Sequence, residues 1–245
     1  MKLINIALSL LICASGWAET PLQTSQQAVV VKTKDWTTTS GRAQRYERQN
    51  GRWRKVGTPT TVAVGRSGLA WGMSEYTIYF NTDYTDTPTK REGDGRAPAG
   101  IFRLTTLFSA NESAHRYAHM PFIQLSPSIE CVDDEKDPEY NTLVDSTKIK
   151  TTWDSSEHML RRDDLYDFGV FVAHNSNPTT AGFGSCIFIH KLGPLGEVFG
   201  TSGCTAFPGV DLVRLFNWLD ETKHPVLIQM PEREYKSNRK VLGLP

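Results

Sequence analysis

The chain has 245 residues, of which 39% are hydrophobic and 22% are charged, with 27 basic side chains against 27 acidic ones. This length and apolar content allow one sizeable hydrophobic core, and we find no internal repeat, so we predict a single folded domain. The neutral balance lacks the basic excess of nucleic-acid-binding proteins, and the basic cluster of residues 42–55 is interrupted by Glu47 and Asn50, as on a solvated hairpin. We therefore expect no nucleic-acid partner.

The first 18 residues have the pattern of a secretory signal peptide. Lys2 supplies a positive charge, residues 3–14 form a short apolar run, and Gly16-Trp17-Ala18 is typical of a cleavage site. The run is shorter than the about 20 residues of a membrane-spanning helix, and no later stretch is long and apolar enough to span. Cys13 raises the alternative of a lipid anchor, which the bulky Ile12 before it disfavours. We predict a signal peptide over residues 1–18, export, no transmembrane segment, and a mature net charge of −1.

Short apolar, aromatic or alternating segments follow, separated by turn residues. They cover residues 29–32, 43–48, 60–64 and 76–80, and Asn50-Gly51 favours a hairpin between the second and the third. The sequence therefore predicts an antiparallel β start to the domain.

The second half alternates polar segments with apolar runs. Residues 111–117 and 154–164 are polar and could hold helical turns, whereas residues 168–173 and 186–189 are typical of buried strands. A helix is predicted after Pro208, with one apolar stripe made by Leu212, Leu215, Phe216 and Leu219. A strand is predicted over residues 226–230, and residues 232–245 are interpreted as a polar, loose tail.

Both predicted buried strands end in a histidine, His174 or His190, and the second is followed 14 residues later by Cys204 in the sequence Thr201-Ser202-Gly203-Cys204. A cysteine attacks as its thiolate, and a nearby imidazole takes the thiol proton. The order and spacing therefore predict a thiol nucleophile, Cys204, with His190 as its base.

The motifs resemble those of the L,D-transpeptidase catalytic domain, the YkuD-like family. That family has a strand ending in histidine and a Ser/Thr-x-Gly-Cys turn, and residues 98–102 are similar to its Pro-x-Gly-x-Phe turn. Ser202 stands where the family usually has a second histidine, and Ala206 where many members have an arginine that helps to hold substrate. The resemblance covers roughly residues 60–230 and fits best a divergent subgroup that has His174-Asn175 and Thr-Ser-Gly-Cys.

The resemblance implies a mainly β fold with a few helices: one β-sandwich catalytic domain over residues 19–233, followed by the polar tail over residues 234–245. It implies that Cys204 forms a thioester with a peptidoglycan stem peptide, that His190 is the base, and that backbone N–H groups around Gly203 and Cys204 bind the oxyanion. No cofactor and no metal are needed, and the expected location is the periplasm or cell wall, as a monomer. The expected substrate-binding residues are Thr201, Ser202, His174, Asn175 and Arg96.

Two of these residues have competing interpretations. His174 is equally well explained as a hydrogen-bonded structural histidine, because it ends an apolar run. Arg96 is a weaker candidate, because Gly93-Asp94-Gly95-Arg96 has the composition of an exposed β-turn.

Alternatives to transpeptidation also stay open. An amine that resolves the thioester gives a cross-link or an exchanged D-amino acid, whereas water gives an L,D-carboxypeptidase, or a hydrolase that cuts the link between a wall-linked protein and peptidoglycan. A non-catalytic peptidoglycan-binding module is the alternative from another class of protein.

The other cysteines bear on these alternatives. Cys131 and Cys186 are expected to pair in an oxidising compartment if their Cα atoms lie within about 7 Å. The competing arrangement is a zinc site formed by His174, Cys186, His190 and Cys204, although the short-spaced ligand pairs of zinc sites are absent from the sequence.

Overall fold

The computed structural model describes residues 22–80, 86–193 and 200–245, so the predicted signal peptide and Cys13 lie outside the described residues. The described residues form thirteen strands, two α-helices and three short 3-10 helices. The strands are β1 (Gln27–Thr33), β2 (Ser40–Gln49), β3 (Arg52–Ala63), β4 (Leu69–Trp71), β5 (Ala97–Ser109), β6 (Phe122–Gln124), β7 (Ile129–Val132), β8 (Leu143–Asp145), β9 (Ser156–His158), β10 (Gly169–Val172), β11 (Phe188–Lys191), β12 (Thr205–Phe207) and β13 (Val226–Pro231). The helices are α1 (Gly209–Trp218) and α2 (Glu232–Arg239), and the 3-10 helices are Thr77–Tyr79, Glu112–Tyr117 and Glu221–Lys223.

Ten strands form one sheet whose hydrogen-bonded path returns on itself. Neighbouring strands follow the order β10, β11, β12, β3, β2, β1, β13 and β5, and β5 also pairs with β10. β4 and β6 join this ring at β5. The prediction of a mainly β, single-domain fold with few helices is confirmed, and the strands expected as a sandwich form a closed ring.

The hairpin of β2 and β3 forms where the turn residues predict it. Asn50 and Gly51 have positive φ angles of 50° and 73°, which suit a two-residue turn whose twist matches that of the strands. β1 pairs antiparallel with β2 and parallel with β13, so it is central in the sheet. Val29, Val30 and Val31 are all buried rather than alternately exposed, so both faces of β1 are covered, and α2 contacts this strand.

Helix α1 packs its predicted apolar stripe into the core. Leu212, Leu215, Phe216 and Leu219 are at most 1% exposed and belong to the main apolar cluster. Each such side chain contributes about 1.5–3 kcal/mol by leaving water. The ring of Phe216 also meets Phe168 edge to face at 5.2 Å, which fixes α1 next to β10. The segment that carries the cysteine turn is therefore followed by a firmly packed helix.

A smaller sheet, in the order β8, β7, β9, lies beside the ring. A disulfide joins Cys131 in β7 to Cys186, two residues before β11, with the two Cα atoms 5.9 Å apart. The sequence predicts this disulfide only if the two Cα atoms lie within about 7 Å. The structure meets that condition and contains the bond.

Three local predictions are wrong. Residues 76–80 contain the 3-10 helix Thr77–Tyr79 instead of a strand, with Tyr76 and Phe80 buried on either side. Residues 154–164 contain β9 instead of helical turns, because they pair with β7. Residues 98–102, expected as a turn, begin β5, where they pair with β4 and β13.

The C-terminal segment is not a loose tail. Glu232–Arg239 forms α2, which contacts β1 and β13, and Tyr235, Leu242 and Leu244 are buried against the main core. The Tyr235 hydroxyl donates to the Pro245 carbonyl, and the Trp53 indole N–H donates to the Gly243 carbonyl at 3.1 Å. Three of the four apolar side chains of this segment are therefore buried, whereas Val241 is 61% exposed. Within the described ranges, no helix has the length and apolar character of a membrane span.

Candidate active site

Two parallel strands bring the histidine and the cysteine turn together. In the register of β11 and β12, Ile189 lies opposite Thr205 and His190 lies opposite Ala206. Cys204 directly precedes β12, and its Sγ accepts the Phe188 N–H at 3.3 Å. The 14-residue separation in sequence is thus closed by strand pairing, and both side chains line one groove.

The cysteine turn is held by the Thr201 hydroxyl. This hydroxyl donates to the Cys204 carbonyl at 2.6 Å and accepts the Gly203 N–H at 3.1 Å. A Cβ at Gly203 would lie 3.2 Å from both the Arg96 carbonyl oxygen and the Ile187 Cδ1, so glycine allows the turn to pack closely. The Gly203 N–H, expected to help to bind an oxyanion, is directed at Thr201 here.

His190 is a buried imidazole with one nitrogen engaged. It is 4% exposed, and its Nδ1 lies 2.8 Å from the Lys191 carbonyl oxygen. A carbonyl only accepts, so Nδ1 carries the proton and Nε2 has the lone pair of the neutral ring. Burial lowers the pKa of His190 from 6.5 to about 4, against the opposing effect of its bond to Lys191. The imidazole is therefore neutral at pH 7 and able to accept a proton.

Cys204 lines the groove and is largely buried. It is 8% exposed, and its thiol stays outside the disulfide. The thiol donates to the Cys186 carbonyl, with Sγ 3.6 Å from that oxygen. The disulfide therefore anchors the residue whose carbonyl contacts the candidate nucleophile.

Asn141 fixes the same backbone from the other side. Its Oδ1 accepts the Cys186 N–H at 2.9 Å, and its Nδ2 donates to the carbonyls of His174 and Asn175, each at 2.9 Å. A buried side chain with these bonds satisfied is rigid. Asn141 and the disulfide together hold Cys186 beside Cys204.

The groove has a volume of about 610 Å³ and is lined by charges of both signs. The cationic side chains are Arg66, Lys90 and Arg161, and the acidic side chains are Glu92, Asp133 and Glu157. Glu92 accepts hydrogen bonds from the hydroxyls of Tyr140 and Ser185. Such a lining suits a polar, charged peptide better than an apolar ligand.

A network that sequence reasoning missed surrounds His190. The Tyr166 ring meets the imidazole edge to face with centroids 5.4 Å apart, and its hydroxyl donates to Glu157. Arg161 lies 5.3 Å above the Tyr166 ring and 3.6 Å from Glu157 Oε1. Burial raises the pKa values of Tyr166 and Glu157. No motif marks these residues, because β9 and the segment before β10 meet β11 only in the fold.

Five of the predicted site residues line the groove, and three lie elsewhere in the described structure. The groove contains Thr201, Ser202, Gly203, Cys204 and His190, whereas His174, Asn175 and Arg96 are not part of its lining. The Arg96 guanidinium donates to the carbonyls of Leu69 at 2.9 Å and Trp36 at 3.3 Å. Its contacts are therefore those of a structural residue.

His174 and Asn175 also have internal partners. His174 is fully buried; its Nδ1 accepts the Met73 N–H at 3.2 Å, and its Nε2 lies 2.8 Å from the Phe183 carbonyl. Burial lowers the pKa of His174 to about 4. Asn175 Nδ2 donates to the carbonyls of Thr180 at 2.8 Å and Gly184 at 2.9 Å. These contacts favour the structural interpretation of His174.

The zinc arrangement considered from the sequence is not assembled. Cys186 has its sulfur in the disulfide, and both ring nitrogens of His174 are engaged with the backbone. Within residues 22–80, 86–193 and 200–245, no group of three or more His, Cys, Asp or Glu side chains is arranged to hold a metal ion.

Comparison with known proteins identifies the family of this chain. The family model for the L,D-transpeptidase catalytic domain (YkuD) matches residues 26–228, so the chain belongs to this family. A search of curated proteins gave no significant match.

Two solved structures of the helical cell shape determining protein Pgp2 from Campylobacter jejuni are similar to this chain. The first, a single-site mutant, has 13% identity and a TM-score of 0.40, and the match covers 90% of this chain and 53% of that one. The second has 15% identity and a TM-score of 0.38, and the match covers 84% and 48%. The chain thus spans about half the length of these structures.

Proposed function

We propose that this chain is an exported L,D-transpeptidase, a cysteine acyltransferase that acts on peptidoglycan stem peptides in the periplasm or cell wall. Family membership supports peptidoglycan as the substrate class. The proposal of catalysis rests on one observation: a neutral His190 and Cys204 line the same charged groove. The predicted signal peptide and the Cys131–Cys186 disulfide both suit an oxidising compartment outside the cytoplasm.

In the first half-reaction, the Cys204 proton passes to Nε2 of His190 while Sγ attacks the carbonyl carbon of the scissile peptide bond. The new C–S bond turns the carbonyl oxygen into an oxyanion. When the C–N bond breaks, His190 returns the proton to the departing amine of the terminal D-amino acid. The stem remains attached to Cys204 as a thioester.

In the second half-reaction, the amine of another stem attacks the thioester. His190 takes a proton from this amine, and the Cys204 sulfur leaves and regains a proton from the imidazolium. The product is a cross-link or an exchanged D-amino acid. No cofactor enters either half-reaction.

We assign oxyanion binding to the backbone of the cysteine turn. The Gly203 N–H donates to Thr201, so we assign close packing to Gly203 and oxyanion binding to the Cys204 N–H. One such donor typically contributes about 2.7–4 kcal/mol to the transition state. Thr201 and Ser202 hold and flank the turn.

Product analysis tests this function. The protein without residues 1–18 is incubated with purified tetrapeptide muropeptides, beside a Cys204→Ser variant that preserves the size of the side chain. We expect joined or exchanged stems from the wild type and none from the variant. Tripeptide as the sole product would instead establish a carboxypeptidase, and no product from either protein would favour a binding module.

A further inference from the structure

The three cations of the groove differ in whether an acidic side chain already neutralises them. Lys90 is buried and pairs with Asp94 at 2.7 Å, and Arg161 pairs with Asp163 at 2.5 Å. Arg66 is exposed, and no carboxylate of the described residues lies within ion-pair distance of its guanidinium. Of these three cations, Arg66 therefore has a full charge to offer an incoming anion.

Arg66 is also held against the cysteine turn. Its Nη1 donates to Ser202 Oγ at 2.9 Å, and its backbone N–H donates to the Thr201 carbonyl at 2.7 Å. Gly95 gives the side chain room, since a Cβ there would lie 2.9 Å from Arg66 Nε. The guanidinium is thus hydrogen-bonded to a residue that lies two positions before Cys204.

A guanidinium has five N–H donors in a planar fork, and Ser202 accepts from one of its nitrogens. The remaining donors match the two oxygens of a carboxylate, and such charge-assisted pairs are frequently bidentate. Within the groove, the chemistry of Arg66 is therefore that of a carboxylate receptor.

We propose that Arg66, oriented by Ser202, forms the subsite for the terminal carboxylate of the D-amino acid that leaves in the first half-reaction. This inference rests on the proposed function, which sets the scissile bond one residue before that carboxylate. Consecutive Cα atoms lie about 3.8 Å apart, so the terminal carboxylate is only one residue away from the carbonyl that Cys204 attacks. Arg66 is hydrogen-bonded to Ser202, two residues from Cys204, which is a comparable separation along the turn. Arg66 is thereby a substrate-binding residue that selects a free peptide end.

Binding to an inactive protein tests this subsite directly. A Cys204→Ala variant is titrated with three stem tetrapeptides: the free acid, the C-terminal amide, and a peptide amidated instead at a side-chain carboxylate. We expect the free acid to bind about tenfold more tightly than the C-terminal amide, since a charge-assisted hydrogen bond is lost. Amidation of the side chain should leave the affinity within about twofold, because it removes no contact with Arg66.

The second arm adds substitutions to the same protein. Arg66→Met should abolish the preference for the free acid, Arg66→Lys should retain part of it, and Ser202→Ala should reduce it. Arg116→Met, an exposed arginine on the 3-10 helix Glu112–Tyr117, is the matched control and should leave the preference unchanged. Thermal unfolding of each variant checks that the fold is intact.

Each outcome separates this inference from the proposed function. If the parent protein binds the free acid but Arg66→Met keeps the same preference, the subsite is wrong while the proposed function stands. A preference that follows the side-chain carboxylate would also overturn the terminal assignment. If no stem peptide binds and the wild type forms no product, the proposed function fails and the subsite fails with it.

Discussion

His190 combines burial with a fixed tautomer. The Lys191 carbonyl holds the proton on Nδ1, and burial keeps the ring neutral at pH values well above its pKa of about 4. A neutral imidazole has no charge with which to stabilise a resting thiolate. We therefore expect the Cys204 proton to move to Nε2 during the attack on the carbonyl, not before substrate binds.

The pH dependence of acylation follows from this state. The proposed base role requires an unprotonated His190, whose pKa lies near 4, so thioester formation should persist at pH 5–6 and decline as the pH falls through about 4. The rate of thioester formation between pH 3.5 and 8 checks this, with circular dichroism at each pH to confirm folding. A decline centred near 6.5 would contradict the lowered pKa.

Tyr166 should position the base through its ring. Tyr166→Ala removes the edge-to-face contact with His190 and leaves a cavity, so we expect acylation to fall at least tenfold and unfolding to require about 3–5 kcal/mol less. Tyr166→Phe keeps the ring and removes the hydroxyl bond to the half-buried Glu157, at a cost of about 1–3 kcal/mol. The two variants are compared by single-turnover kinetics and urea unfolding. Equal losses of acylation rate in both would assign the effect to the hydroxyl.

At the scale of elements, the disulfide and Asn141 connect the small sheet to the groove. Cys131 lies on β7, and Cys186 follows the loop that contains His174 and Asn175. Because the Cys186 carbonyl contacts Cys204, a shift of this loop would move the thiol that we propose as the nucleophile. The stability of the small sheet and the geometry of the active site are therefore coupled.

Removal of the disulfide should affect both properties. The bond closes a sequence separation of 55 residues, so replacing both Cys131 and Cys186 with alanine should lower the free energy of unfolding by about 2–4 kcal/mol. The same variant should form the thioester more slowly. Urea unfolding measures the change in stability, and the rate of thioester formation measures the change in acylation. Unchanged acylation in a destabilised variant would show that the loop keeps its position without the bond.

The C-terminal element should contribute to stability. Leu242 is 4% exposed and packs against the main core, so Leu242→Ala should lower the free energy of unfolding by about 2–3 kcal/mol. Val241, its neighbour, is 61% exposed, and Val241→Ala is the control with an expected change of less than about 0.5 kcal/mol. Equal effects in urea unfolding would restore the loose-tail interpretation.

At the scale of the whole molecule, two buried neutral histidines make stability depend on pH. His174 and His190 both have pKa values lowered from 6.5 to about 4. Between these values the unfolded chain binds more protons than the folded one, so stability rises with pH. The contribution is fully present above about 6.5 and is lost as the pH falls toward 4.

His174 is not part of the groove lining, so the pH dependence of stability can be measured there without changing the groove. Each histidine should contribute up to about 3 kcal/mol across the interval, so His174→Gln should flatten the dependence of unfolding free energy on pH between 4 and 6.5. Parallel slopes for the wild type and His174→Gln would contradict the lowered pKa.

The sequence predicted features that depend on local pattern. The Asn50-Gly51 hairpin, the apolar stripe of α1 and the His190 to Cys204 spacing each follow from neighbouring residues, and the structure contains all three. No local pattern marks Tyr166, Glu157 or Arg66, because segments that are distant in sequence bring them to the groove. Motif position makes Arg96 and His174 candidates for substrate binding, whereas their hydrogen bonds are internal.

The formation of a thioester on Cys204 is tested by measuring the intact mass of the protein after brief exposure to a tetrapeptide stem. The modified residue is then mapped. We expect an adduct with the mass of the stem lacking its terminal D-amino acid, attached to Cys204 and removed by hydroxylamine. The adduct should be absent from Cys204→Ser and form far more slowly in His190→Ala. A wild-type protein that releases D-amino acid without any Cys204 adduct, or a Cys204→Ser variant that stays fully active, would contradict it.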